Sequence, residues 1–403
     1  MKILWVNPNF LHPTTKGGQI RTLEMLRRLH RNHEVHYATL ESDEPEGEAR
    51  VHEYASKTYV FPHRAVSKRS PAFLGQVLGA VFSPMPLAIS RHFSPAMKAA
   101  LAQIIARENF DAIVCDFLVS APHLENLRGI VLFQHNVETM IWRRHTENSS
   151  GIRKRFFRLQ AERMFRYEQN CCQDSSLVIA VSREDADTMR TMFGINHVAD
   201  IPTGVDLEYF KDRGGTGKRF DLVFVGSMDW LPNVDGIKYF IQEILPIIRR
   251  TKPDCSLVIA GRSPHPSIQD LAAGDPNITL TGTVPDIRPY LWESSVSIVP
   301  LRIGGGTRLK IYESIAAGVP VVSTTIGAEG LPVEPGRHLL IGDDAESFAA
   351  HCCALMSNAN QGRSMAVESL AFVGTSFSWE AVTHQFERLI ANAKVRHNPS
   401  ELT

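Results

Sequence analysis

Between residues 304 and 320 the chain reads Gly-Gly-Gly-Thr-Arg-Leu-Lys-Ile-Tyr-Glu-Ser-Ile-Ala-Ala-Gly-Val-Pro. Gly304, Gly305 and Gly306 let the backbone approach a ligand more closely than any residue carrying a Cβ. A helix expected to start near Thr307 would add its free amides and positive end, an arrangement suited to an anion and above all to a phosphate. Gly318 and Pro320 should stop that helix. Arg308 and Lys310 lie near its start, and Glu313, three residues beyond Lys310, shares its face. A surface pair of Lys310 and Glu313 alone would contribute only about 0.2–0.5 kcal/mol. The glycine triplet turns the reading toward a ligand, because glycine weakens packing unless something needs the space.

These residues need a scaffold. Val296 to Leu301 reads as the buried strand leading into the triplet, and it belongs to the second of two series in which β-branched runs alternate with helical periods. The first series has strand candidates at Ile3–Val6, Val35–Leu40, Thr58–Phe61, Ala112–Cys115, Ile130–Phe133 and Leu177–Val181. After a polar connector at 211–219, the second has Asp221–Val225, Ser256–Ala260, Ile278–Thr281, Val296–Val299, Val319–Ser323 and His338–Ile341. The expected fold is α/β, with two doubly wound parallel sheets facing a cleft and ligands at the carboxyl ends of the strands. Trp379, Val382, Phe386 and Leu389 recur at helical spacing and give the last ordered segment an apolar stripe.

Composition agrees with such an enzyme and excludes other classes. The chain has 403 residues, 43% of them apolar, enough for a core in each of two domains. Its 43 basic and 43 acidic residues balance, so it lacks the charge footprint of a nucleic-acid binder. Six cysteines in neither a disulfide framework nor a zinc spacing point to a reducing cytoplasm. No apolar run approaches the roughly 18 residues of a spanning helix. Gly214-Gly-Thr-Gly-Lys218 hints at a phosphate loop but precedes a strand and reads as linker. His30, His33 and His36 do not share one element, so a metal is not expected there. Two stretches could lie on a membrane: the apolar stripe Phe73, Leu74, Val77, Leu78, Val81 and Phe82 behind Arg64, Lys68 and Arg69, and the basic run 151–170 with Phe156, Phe157 and Phe165. The first is also readable as a helix packed in the first domain, and the second reads more readily as a solvated helix face than as a lipid contact.

Taken in order, Lys16-Gly-Gly18, Val178-Ile-Ala-Val-Ser182, Ile201-Pro-Thr-Gly-Val-Asp206, Phe224-Val-Gly226, Gly282-Thr-Val284 and the segment 304–322 resemble the glycosyltransferases of the GT-B fold, family 4 (group 1) of the retaining enzymes. The likeness spans almost the whole chain. It implies an acceptor-binding domain at 1–205, a donor-binding domain at 206–376 and a helix at 377–391 that returns to the first domain. It also implies that Glu313 accepts the ribose hydroxyls of a nucleoside diphosphate sugar and that Gly304, Gly305, Gly306 and Thr307 touch sugar and diphosphate. Thr283 and Val284 would meet the base, Gly226 would lie in the donor site, Gly17 and Gly18 would form the first-domain loop near the transfer site, and His135 would face the transferred sugar.

The chain departs from the family pattern twice. A second glutamate, expected eight residues before Glu313, is replaced by Gly305, and the loop Gly226-Ser-Met-Asp-Trp-Leu-Pro-Asn233 lacks the two cations usual on the diphosphate. Arg308 and Lys310 are the nearest substitutes, as in a branch that makes bacterial surface polysaccharides. The expectation is therefore a cytoplasmic transferase at or near the inner face of the membrane, acting on a glycan or lipid-linked acceptor. It would retain configuration and need neither metal nor other cofactor, with His135, Arg308 and Lys310 as catalytic residues. Three alternatives stay open: inversion with His135 as general base, a sugar-nucleotide epimerase of the same shape, and a non-catalytic sugar-binding protein.

Overall fold

A computed structural model describes residues 1–14, 17–63, 70–147, 149–211, 217–303 and 309–393. The chain divides into two compact units, 1–202 with 382–403, and 203–381.

The first unit is built on a seven-stranded sheet of β1 (Lys2–Val6), β2 (Glu34–Leu40), β3 (Lys57–Phe61), β4 (Ala112–Asp116), β5 (Val131–Gln134), β6 (Leu177–Ala180) and β7 (Val198–Asp200). Their spatial order is β3-β2-β1-β4-β5-β6-β7 and every pairing is parallel. The order reverses between β1 and β4, the kind of switch point at which open parallel sheets bind ligands. β1, β4 and β5 are buried on both faces, which explains their unbroken apolar runs. β7 has no counterpart among the sequence expectations: its three residues, Val-Ala-Asp, carry too short a pattern to announce a strand.

The second unit has six parallel strands, β8 (Phe220–Val225), β9 (Leu257–Ala260), β10 (Ile278–Gly282), β11 (Ser294–Val299), β12 (Val321–Ser323) and β13 (Leu340–Ile341). Their order is β10-β9-β8-β11-β12-β13, with the reversal between β8 and β11. β12 starts after Pro320, which has no N–H to give to a ladder, so the strand expected from Val319 is shorter. Gly318, at φ 72°, adopts the left-handed conformation that ends the helix Leu309–Ala316.

The last helix, Trp379–Ala393, buries Val382, Phe386 and Ile390. Ile390, not Leu389, completes its apolar stripe. Phe386 lies 5.5 Å from the Trp5 ring and 5.3 Å from Phe133, so this helix closes the first unit behind β1 and β5. Glu387 meets the His33 imidazole at 3.0 Å on the same face.

The segments weighed for other roles have structural uses. Lys218 donates to the carbonyls of Trp292 and Ser294 at 2.9 and 2.7 Å, which fits a linker lysine entering β8. His30, His33 and His36 have separate partners, respectively Ser56, Glu387 and Glu34. The helix Pro71–Phe82 leaves Leu78, Val81 and Phe82 exposed, while Ala80 is buried. Arg64, Lys68 and Arg69 lie outside the described residues, as does the side chain of Leu74. Among the described residues no helix is long and apolar enough to cross a membrane.

Candidate active site

The strongest sequence signal falls partly outside the described residues: Gly304, Gly305, Gly306, Thr307 and Arg308 do so, whereas Lys310 and Glu313 stand on the helix Leu309–Ala316. That helix follows β11, beside the switch point of the second sheet, and presents Ile311, Tyr312 and Ile315 to the core. Its apolar side thus fixes where its polar residues stand.

Lys310 reaches back to the loop after β8. Its ammonium donates to Asn233 Oδ1 at 2.6 Å and lies 4.5 Å from the centre of the Phe224 ring. Asn233 is buried near the start of the helix Leu231–Tyr239, and its Nδ2 donates to the Ser227 carbonyl at 2.8 Å. One amide therefore ties the lysine to the loop. Gly226 completes the arrangement, since a Cβ there would lie 2.7 Å from Asn233 Nδ2 and 3.1 Å from the Lys310 ammonium. Across the adjacent strand end a Cβ on Gly261 would come within 1.8 Å of the Gly226 carbonyl oxygen, so glycine is obligatory where the β8 and β9 loops cross. Arg262, next in the chain, donates from Nε to Ser227 Oγ at 3.0 Å. A loop without cations of its own thus has two beside it, one from a helix and one from the next strand.

Glu313 lies one turn along the helix from Lys310. Its carboxylate has no hydrogen-bond partner among the described residues. Burial raises its pKa from 4.5 to about 6 against the opposing pull of Lys310. A partly covered carboxylate with open acceptor sites beside an ammonium suits a ligand that offers hydroxyl donors. Thr283 and Val284 follow β10, which β9 separates from β8.

The first unit carries a second cluster, also at a switch point. β4 ends at Asp116, which is fully buried. Its Oδ2 accepts from Trp5 Nε1 at 2.9 Å, Asn7 Nδ2 at 2.7 Å and Thr22 Oγ1 at 2.9 Å, and its Oδ1 faces His135 Nε2 at 2.7 Å. On the other side of the imidazole, Arg21 Nη1 stands 3.1 Å from Nδ1. A guanidinium only donates, so Nδ1 must accept and Nε2 carries the proton. His135 is neutral in this setting. Burial first, and Arg21 with it, hold its pKa below the ordinary value against Asp116. Arg21 is brought down to about 10 by burial, with Asp116 opposing, and keeps its charge. The cluster is a buried anion and cation joined through a neutral ring.

Phe117 holds that ring flat. It stacks on His135 with centroids 3.8 Å apart and planes 11° from parallel, and reaches this position with φ at 62°. A non-glycine residue held there stores about 1–3 kcal/mol of backbone strain, a cost found most often at functional sites. Gly17 and Gly18 open the helix Gly17–Asn32, which also supplies Arg21 and Thr22. A Cβ on Gly18 would lie 2.6 Å from Phe117 Cζ and 3.4 Å from His135 Nδ1, so this glycine is needed for close approach.

The structure therefore brings Gly18 to His135, and Gly226 to Lys310. It adds Asp116, Arg21, Phe117, Asn233 and Gly261, which sequence reasoning did not single out. Asp116 could have been noticed as a charge at the carboxyl end of an apolar strand, and Gly261 as a glycine in the same place after β9. Asn233 and Arg21 carry no such mark.

Comparison with known proteins gives a consistent picture. Residues 15–209 match the family described as Glycosyltransferase Family 4, and 219–358 match that described as Glycosyl transferases group 1. An uncharacterized 44.6 kDa protein in the cps region of Klebsiella pneumoniae is 22% identical over 94% of this chain and 97% of its own length. Among solved structures, Anabaena HepE in complex with UDP and glucose superimposes with a TM-score of 0.60 at 13% identity, covering 96% of this chain and 98% of that one. Sucrose-phosphate synthase from Thermosynechococcus elongatus does so with a TM-score of 0.64 at 16% identity, covering 96% and 98%.

Proposed function

We propose that this chain, a glycosyltransferase by the family matches of both its halves, moves a sugar from a nucleoside diphosphate donor to a glycan or lipid-linked acceptor with retention of configuration. The observation that carries the reading is the Gly226, Asn233 and Lys310 cluster with Glu313 one turn away. In this reading the second unit binds the donor: Glu313 accepts the two ribose hydroxyls and Lys310, with Arg308, faces the diphosphate. Gly304, Gly305, Gly306 and Thr307 give amides to it, and Thr283 and Val284 meet the base.

Cleavage of the bond to the sugar leaves charge on the diphosphate, and fixed cations that meet that charge lower the barrier without reorganising. Lys310 is already held at the loop where the usual cations are absent, which favours turnover without a divalent metal. The leaving phosphate oxygen can then take the acceptor proton on the face it departs from, and no protein nucleophile is needed. The geometry of His135 favours this over inversion. Its Nδ1 lone pair is used by Arg21 and its Nε2 proton by Asp116, so the ring has no free basic site and orients groups instead. A uridine donor draws support from the UDP in HepE, and a surface-polysaccharide acceptor from the relative in the Klebsiella cps region.

The test is a thermal-shift screen of nucleoside diphosphate sugars, followed by product analysis. A ligand at 100 times its dissociation constant raises stability by about 2.7 kcal/mol. A donor hit with transfer and retained anomeric configuration is expected. Donor turnover without an acceptor would point to an epimerase instead, and binding without any turnover to a sugar-binding protein.

A further inference from the structure

The turn that follows β5, His135-Asn136-Val137, is gripped from behind by a residue the mechanism has not used. Glu168 stands on the helix Gly151–Asp174 with its side chain fully buried. Its Oε1 accepts from Gln134 Nε2 at 3.3 Å and from the Glu138 amide at 2.9 Å. Its Oε2 accepts from the Thr139 amide at 2.7 Å and the Thr139 hydroxyl at 2.6 Å. The carboxylate therefore caps the helix Glu138–Glu147 from a different helix, and at the same time holds the last residue of β5. Both ends of the turn are fastened to one side chain.

We infer that Glu168 is a positioning residue that sets the His135-Asn136 turn in register with the Asp116 and Arg21 cluster. This rests on the transferase reading for its link to turnover, though not for its structural content. Within the turn His135 and Val137 point inward and Asn136 is exposed, so a rotation of the backbone would carry the ring off Phe117 and turn Asn136 away together. Four donors converge on an ionised carboxylate, which can accept them all, whereas a protonated one must offer its own hydrogen to the Thr139 hydroxyl, which then has to turn and give up its own bond. Ionisation and geometry are coupled. Burial, the larger effect, lifts the Glu168 pKa to about 7 against the Thr139 and Glu138 bonds. Among the described residues the titratable groups facing it are Glu138, on the helix it caps, and Cys171 and Cys172 on its own helix. Burial keeps both thiols protonated through this range and raises the Glu138 carboxyl as well.

The test follows the imidazole of His135 directly. The full-length protein, labelled with 15N-histidine, is titrated between about pH 6 and 8, and His135 is identified by the signals lost in His135→Gln. In the wild type its ring nitrogens should shift with an inflection near pH 7 while the ring itself stays neutral. In Glu168→Gln, where one amide N–H must face another donor, that inflection should vanish and the ring signals should sit at displaced values at every pH. Thr139→Val removes one bond and leaves the carboxylate, and should displace the signals less, in the same direction. Turnover of Glu168→Gln with the donor found in the screen should fall roughly 10- to 100-fold with little change in donor KM, as expected for a small misplacement of reacting groups. Wild-type His135 signals that do not respond near pH 7, or that match those of a folded Glu168→Gln, overturn the assignment. If no nucleotide sugar is turned over by the wild type, the transferase reading fails, and the imidazole spectra still decide the role of Glu168.

Discussion

Replacing Glu313 by glutamine should move stability and ligand binding in opposite directions. The fold holds this carboxyl at about 6 instead of 4.5, a difference worth about 2 kcal/mol. Because the folded chain binds the proton more tightly than the unfolded one, the charge is a liability once it forms. The deficit is absent below about pH 4.5, grows as pH rises toward 6 and is complete above it. Glutamine keeps the shape and cannot ionise, so at pH 7.5 Glu313→Gln should be more stable by about 1–2 kcal/mol. For a domain of 150–250 residues that is a Tm rise of roughly 2–8 °C. On the proposed donor-binding role, the same change removes the charge from two hydrogen bonds to the ribose, which should weaken nucleotide binding by about 1.5–3 kcal/mol, or roughly 10- to 150-fold in Kd. Calorimetric melting at pH 4.5 and 7.5, with titration of UDP, GDP and ADP, reads both effects. A variant that melts lower at pH 7.5 and binds nucleotide as tightly as the wild type would refute the reasoning, since Glu313 would then be an ordinary structural carboxylate.

Four further outcomes follow from the site. Lys310→Ala should lower kcat by roughly 10²- to 10³-fold, the scale on which removal of one stabilising donor acts, and more than it raises donor KM. Asn233→Ala should reproduce a smaller part of the same pattern by freeing the ammonium, and an equal loss in both kinetic parameters would mean that the lysine only binds. Gly18→Ala should displace the Phe117 ring from His135 and cut turnover while the donor still binds normally, measurable as an unchanged nucleotide Kd. Turnover should persist in excess EDTA, and a loss restored by magnesium or manganese would show that Lys310 and Arg308 do not carry the diphosphate charge.

What could be read from the sequence was local. β8, β9 and β11 announce themselves as short β-branched runs because both of their faces are buried, and the Gly304 to Gly306 triplet stands out because nothing in packing calls for it. Glu313 and Lys310 were legible for the same reason, since helical spacing alone puts them together. Asn233, by contrast, gains its meaning only when Lys310 crosses from another helix, and Asp116 only when Trp5, Asn7, Thr22 and His135 converge from three other elements. The family resemblance marks His135, but its ionic state depends on Arg21, whose place beside it is set by how the helix Gly17–Asn32 lies on the sheet. In the sequence Glu168 reads only as one acidic residue in a basic helix. A pattern of residue types marks elements and their termini, and says little about which distant side chain will answer a buried charge.

The return of the last helix has a consequence for how the protein is made. Residues 203–381 form an uninterrupted unit, whereas the first unit needs 382–393 to cover Trp5 and Phe133. On a ribosome, chains emerge from the amino end and domains tend to fold as units. The first unit to emerge is thus the second able to finish, and its seven-stranded sheet must wait with the apolar back of β1 and β5 uncovered while the whole of the other unit is synthesised. Phe133 touches His135 at 4.5 Å and Trp5 donates to Asp116, so the groups left waiting include the supports of the buried Asp116, His135 and Arg21 cluster. A messenger cut short before codon 382 would yield one complete domain and one with its site unbraced, and such a product should bind nucleotide yet be cleared by proteases that recognise exposed apolar surface.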